Sequence, residues 1–226
     1  MELTGIILWN FWNNRNGAIF DVAYKDSLNI VSLSISYIQQ FHDAHSSILG
    51  PSPAIRRSHS HQPQWIKPSN GYCKANFNGA IFPSNASSDI GVVIRDDQGL
   101  FIAGFTQKIS RLMDPSVVES RAAKYAMKLL HRLNIQEVVL EEDSQSVIKL
   151  IENFEPDDSH SGILIENVIF CLHNCLAGEV SWVPRNNNKV AHLLAKHALS
   201  ISDYCMRIDS LPCFVISTLE ADLVCY

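Results

Sequence analysis

The chain reads as an α/β protein built on a mixed five-stranded sheet, three antiparallel strands followed by two parallel ones. Helices cover both faces, and a helical segment precedes the sheet. Three observations predict this class. Residues 71–110 hold three strand-like runs whose connections are too short for a crossover, so they pair antiparallel. Two later apolar runs, EVVLEED from Glu137 and EVSWVP from Glu179, each follow a helical stretch and join the sheet parallel to a neighbour. The resulting order, βββαβα(α)βα, puts a functional site at the carboxyl ends of the strands, where connections diverge to opposite faces.

Composition narrows the class further. The 226 residues are 46% hydrophobic and 18% charged, which excludes a collagen, a disordered polyelectrolyte and a low-complexity tract. The net charge of −5 carries no bulk cationic signature of a nucleic-acid binder, so any such role must come from local patches. No run reaches the roughly 18 apolar residues of a membrane helix. The first residues, MELTGIILWNFWNNRN, carry Glu2 and no basic flank, unlike a secretory signal. The expectation is a monomeric intracellular protein, nuclear or cytoplasmic, without a membrane partner. Its six cysteines are then reduced thiols, and Cys171-x-His173-x-Cys175 lacks a second pair at zinc spacing.

Four regions succeed one another along the chain. Residues 1–49 form an N-terminal helical segment, with Ile30, Leu33, Tyr37 and Phe41 at helical spacing. Residues 50–70 read as a Pro/Ser/His-rich linker broken by Pro51, Pro53, Pro63 and Pro68. Residues 71–200 form the α/β domain, and 201–226 a C-terminal tail. Within the domain, GYCKANFNGAIF is the first strand, IGVVIRD a central one, Asp96-Asp97-Gln98-Gly99 a turn, and LFIAGFTQKI the third strand. Asp114-Pro115 opens a helix running to about Leu133. Ser144 caps a second through Phe154, a third covers roughly Ser161 to Leu176, and a last runs from about Asn187 to Ser200.

Misplaced polarity marks candidate site residues. On a helical wheel, Glu119 falls inside the apolar arc of Val118, Ala122, Ala126 and Leu130. A carboxylate there is costly unless paired, bound to a cation or left wet beyond the core edge. Asp143 ends an apolar strand at its carboxyl end, where it is either a site residue or an N-cap. Asn78-Gly79 taken alone reads first as a hairpin turn, and otherwise as a close backbone approach. His192 shares a helix face with Asn188, a placement usually structural for a lone histidine.

Together these positions carry a resemblance. The stretch from about Trp65 to Leu199 resembles the ribonuclease H-like domain of plant non-LTR retroelement reverse transcriptases and their host-encoded relatives. The matching pieces are W-I-K-P-x-x-G-Y-C-K-A-N-F-N-G-A, D-I-G-V-V-I-R-D-D-Q-G, V-V-E-S-R-A-A, V-V-L-E-E-D-S and W-V-P-R-N-N-N-K-V-A-H-L-L-A-K. The upstream L-W-N-F-W-N-N-R-N-G-A-I-F and the tail P-C-F-V-I-S-T-L-E-A-D-L also resemble those elements.

The resemblance implies endonucleolytic hydrolysis of the RNA strand of an RNA–DNA hybrid, with two Mg²⁺ ions held by four acids. Carried over, the four positions, catalytic and metal-binding alike, are Asn78, Glu119, Asp143 and His192. Two depart from the acidic pattern. Asn78 is a neutral amide where the resemblance implies a bridging aspartate. His192 stands where the resemblance implies an aspartate in catalytic relatives, although histidine is frequent there among the plant sequences, and its imidazole suits Mn²⁺ or softer ions better than Mg²⁺. Glu141, Glu142 and Asp89 are the acids that could substitute from other geometry. The expectation is a fold retained and hydrolysis weakened or lost.

Lys74, Asn76, Arg185, Asn188 and Lys189 are the expected nucleic-acid contacts, toward RNA–DNA hybrid or double-stranded RNA read by A-form shape. Arg121, Lys124, Lys128 and Arg132 form a separate cationic stripe, ordinarily a solvated helix face but able to track phosphates. Trp182 is expected in core packing. The alternative function is a non-catalytic interaction module or a retroelement-derived remnant, which the net acidity favours over a silent nucleic-acid binder.

Overall fold

A computed structural model describes residue 31 and residues 65–154 and 158–223. The chain divides into units Met1–Ser60 and His61–Tyr226, and the sheet belongs to the second. The helices expected at 1–49, and most of the linker, lie outside the described residues.

The sheet contains β1 (Cys73–Phe82), β2 (Ser87–Arg95), β3 (Phe101–Gln107), β4 (Glu137–Glu142), β5 (Ala177–Trp182) and β6 (Tyr204–Ile208). Their spatial order is β5-β4-β1-β2-β3-β6. The first three pair antiparallel, and β4 and β5 join parallel to β1 and β4, as the crossover argument requires. The strand count is six rather than five. Residues expected as a tail supply β6, antiparallel on the outer edge of β3, and so close an otherwise open edge.

Five helices cover the faces: α1 (Pro115–Arg132), α2 (Gln145–Glu152), α3 (His160–His173), α4 (Lys189–His197) and α5 (Cys213–Leu223). Strand alternation sorts β1 between them. Ala75 and Phe77 enter the larger core with Ile90, Val92 and Ile94 of β2 and Val118, Ala122 and Ala126 of α1. On the other face Val93 packs with Val190, Ala191 and Leu194 of α4 and with Val215 and Leu219 of α5. α5 is therefore part of this core, a second correction to the tail.

Two glycines set how closely the helices approach. A Cβ at Gly91 would overlap the backbone of α4 at Ala191 and Ala195. A Cβ at Gly79 would lie 2.8 Å from Val118 Cγ1 and 3.0 Å from the Glu119 nitrogen. Asn78-Gly79 is thus mid-strand, paired with Gly91 and Ile90 of β2. The turn reading is wrong because long-range pairing outweighs the local preference of the dipeptide.

The linker boundary also shifts. Trp65 is 1% exposed, its ring lies 3.4 Å beneath the Arg95 guanidinium carbon, and its Nε1–H donates to Asn76 Oδ1 at 3.0 Å. The packed domain thus begins before residue 71.

Candidate active site

The four carried-over positions converge at the carboxyl end of β4, approached from both sheet faces. Gly79 admits the first turn of α1, which brings Glu119 against β1. From the α4 face, Asn78 Nδ2 approaches His192 Nδ1 at 3.5 Å and donates to its neighbour's carbonyl, Gly79 O, at 2.8 Å. Asp143, just past β4, lies between the two faces. Its Oδ1 accepts from Asn188 Nδ2 at 2.8 Å, and Asn188 also donates to Phe77 O at 2.8 Å. One amide therefore ties the start of α4 to both β1 and Asp143.

Glu142 is an additional acid. Val138, Leu140 and Glu142 alternate onto one strand face, and the first two are fully buried in the α1 core. Glu142 is 1% exposed and accepts from the Ser144 N–H at 2.6 Å. Burial, then the charges of Glu119 and Asp143, push its carboxyl up to about 9, so it is protonated at neutral pH. Burial also raises Glu119, against a lowering hydrogen bond from Ser144. His192 is held below its ordinary value by burial and by the cations Arg185 and Lys196, so its imidazole is neutral. This period-two signal was available in the sequence, where Glu142 figured only as one of three substitutes. Glu141 is instead paired to Lys74 at 2.6 Å, and Asp89 accepts from the Ile109 N–H at 3.3 Å.

Three expected nucleic-acid contacts are corrected. Lys74 and Asn76 are 5% and 0% exposed. Lys74 donates to Ile66 O at 2.6 Å beside its pairing to Glu141, and Asn76 bonds Trp65, Glu141 and Arg95. Asn188 is 1% exposed and braces Asp143. Lys74 and Asn76 are structural because their polar atoms are taken up by buried partners. Asn188 is structural because its Nδ2 is committed to Phe77 O and Asp143, while its buried Oδ1 has no partner among the described residues. Arg185 and Lys189 remain exposed at the site's edge. Trp182 is exposed rather than in the core, and its Nε1–H donates to Asp143 O at 3.0 Å. It braces the loop that carries Asp143.

The donor set does not fit a pair of Mg²⁺ ions. Such hard cations take oxygen ligands, largely anionic ones. Here one flank is an amide against a neutral imidazole, and Glu142 is a carboxylic acid. Among the described residues, no three His, Cys, Asp or Glu side chains are disposed to share an ion.

Six mixed strands with this site at the end of β4 define a ribonuclease H-like domain. Residues 76–198 match the model of the reverse transcriptase-like family. The chain belongs to that family. It is 24% identical over 219 residues to an Arabidopsis thaliana protein named "Putative ribonuclease H protein". That alignment covers 96% of this chain and 34% of the relative, so the chain spans about a third of its length. Among solved structures, RNase H1 of Halobacterium salinarum superposes with a TM-score of 0.53 at 24% identity, over 57% of this chain and 98% of that one. LC11-RNase H1, solved with an RNA/DNA hybrid, gives 0.51 at 17% identity, over 57% and 96%. These likenesses establish the fold.

Proposed function

We propose that this chain is a nucleic-acid-binding ribonuclease H-type domain whose hydrolysis of the RNA strand in RNA–DNA hybrids is strongly reduced. The observation that carries the reading is the Asn78–His192 contact, an uncharged amide against an uncharged imidazole at 3.5 Å. By the family resemblance the first position belongs to an aspartate, and the second to an aspartate in catalytic relatives, with histidine frequent there among the plant sequences. Asn78 Nδ2 is a donor, which repels a cation, and it is committed to Gly79 O.

The surroundings of the remaining groups set their roles. Asp143 is held in place by Asn188 and Trp182, and Glu119 is fixed by the approach of α1 to Gly79. Their negative charge opposes a phosphodiester at the end of β4. Arg185 and Lys189, exposed where α4 begins, offset it and orient a backbone phosphate. RNA–DNA hybrid is the favoured partner, and double-stranded RNA shares the A-form geometry such a surface reads. The hybrid named with LC11-RNase H1 and the fold shared with it support this choice.

The test is cleavage of a labelled hybrid by the purified chain in Mg²⁺ and in Mn²⁺, beside Asn78→Asp and Asn78→Asp/His192→Asp. The expected result is little or no product from the parent chain and a gain on restoring the acids. A second reading, an interaction module that does not engage nucleic acid, is favoured by the net charge of −5. It requires hybrid binding that is weak at all ionic strengths, whereas the first requires binding that falls steeply with salt.

A further inference from the structure

Away from the candidate site, α1 carries a second feature. Val117, Arg121, Lys124, Tyr125 and Lys128 recur at helical spacing and line a cleft of about 210 Å³ with the start of α3 and the loop before α1. Glu119 lies about 180° around α1 from the middle of that stripe, so the cleft is separate from the carboxylates.

Its chemistry is one-sided. Arg111, Arg121, Lys124, Lys128 and His160 all line it, and no acid does. Among the described residues, none of the five has a carboxylate partner within ion-pair distance. In a chain with 23 acids and 18 Lys and Arg, four of those cations on one small cleft are a strong local concentration. Cations held together this way repel one another, and a low-dielectric floor focuses their field. That floor is rigid. Tyr125 stacks on Phe105 with centroids 4.7 Å apart and planes at 10°, and Lys128 Nζ sits 5.0 Å above its ring. The four cations come from two segments, α1 and the loop before it, and His160 at the start of α3 adds a third wall, which sets this apart from an ordinary solvated helix face.

We infer that this cleft is a phosphate-binding site, taking either the backbone phosphates of a nucleic-acid strand outside the catalytic end or a soluble polyphosphate. Guanidinium groups match phosphate oxygens in pairs, and the lysines supply point charges beside them.

The full chain is titrated separately with inorganic tripolyphosphate and with a labelled RNA–DNA hybrid, between about 50 and 200 mM salt. Two variants are compared, Arg121→Gln/Lys124→Gln on the helix and Arg111→Gln on the loop, each checked for folding by circular dichroism. Arg111 is exposed and outside any helix, so its variant tests the site even if the double variant misfolds. The expected loss is about tenfold in tripolyphosphate affinity, the size of a lost hydrogen bond to a charged group. For the hybrid, the salt slope falls by about one for each phosphate contact removed. Loss in the hybrid arm alone identifies strand backbone as the source of the phosphate, loss in the tripolyphosphate arm alone identifies a soluble polyphosphate, and loss in both identifies a site open to either. Parent affinities and slopes retained by both variants, or a parent chain that binds neither anion, overturn the inference. The tripolyphosphate arm contains no nucleic acid, so it stands or falls independently of the reading of the catalytic end.

Discussion

Lys74 and Asn76 sit beside Glu141 on one face of the sheet, and Glu142, the next residue of β4, points to the other; the polar groups on the two faces are resolved in opposite ways. Around the first two residues, charges are matched. Lys74 pairs with Glu141 at 2.6 Å, Arg95 pairs with Asp222 at 2.7 Å, and Asn76 bridges Trp65, Arg95 and Glu141. Two cations meet two anions, and the network ties β1, β2, β4 and α5 together. On the α1 side, at the carboxyl end of β4, Glu142 lies near Glu119 and Asp143, and burial together with those two charges pushes its carboxyl up to about 9. Buried polarity by itself therefore identifies no function. The matched cluster is architecture, and the unmatched one is the candidate site.

Breaking the matched cluster has the largest expected effect. Arg95→Ala strands the buried Asp222 of α5, and urea unfolding should show a loss of about 3–5 kcal/mol. Gly91→Ala comes next. Its new methyl meets the backbone of α4, which cannot yield as a side chain would, and the expected cost is about 1–3 kcal/mol in the same measurement.

The unmatched cluster predicts a pH dependence. A carboxyl whose folded-state value lies above its unfolded one binds more protons when folded, so its contribution favours folding at low pH. For Glu142 that contribution is full below the ordinary value of 4.5 and is lost as pH rises toward about 9. Glu142→Gln keeps an oxygen to accept from Ser144 and removes the titration. Its melting temperature should exceed the parent's at pH 8, and the gap should close toward pH 5. An equal gap at both pH values would show that Glu142 is not held protonated. The smallest effect belongs to Trp182→Phe, which deletes the bond to Asp143 O at an exposed position. About 0.5–1 kcal/mol of stability should be lost, read by thermal melting.

Much of the element order was legible because periodicity is local. The pairing of β1 to β3, the two crossovers and the start of α1 at Pro115 all follow from patterns a few residues long. What escaped depends on distant partners. Tyr204–Ile208 is a strand because the edge of β3 is available to it. Trp65 stands between prolines, and only Arg95, thirty positions later, makes it a core residue. Lys74 and Asn76 look like surface contacts until Glu141 and Arg95 are folded against them. At the site, all four carried-over positions meet, and the roles of Asn188 and Trp182 as braces for Asp143 become visible only in three dimensions.

The central claim is that two neutral side chains, Asn78 and His192, are what separate this domain from rapid hydrolysis. It is tested most directly by single-turnover cleavage of an RNA–DNA hybrid in Mg²⁺ by the parent chain and by Asn78→Asp/His192→Asp. The account predicts that the restored chain is faster by at least about tenfold, equivalent to about 1.4 kcal/mol of barrier. A parent chain that cleaves as fast as the restored one would contradict it.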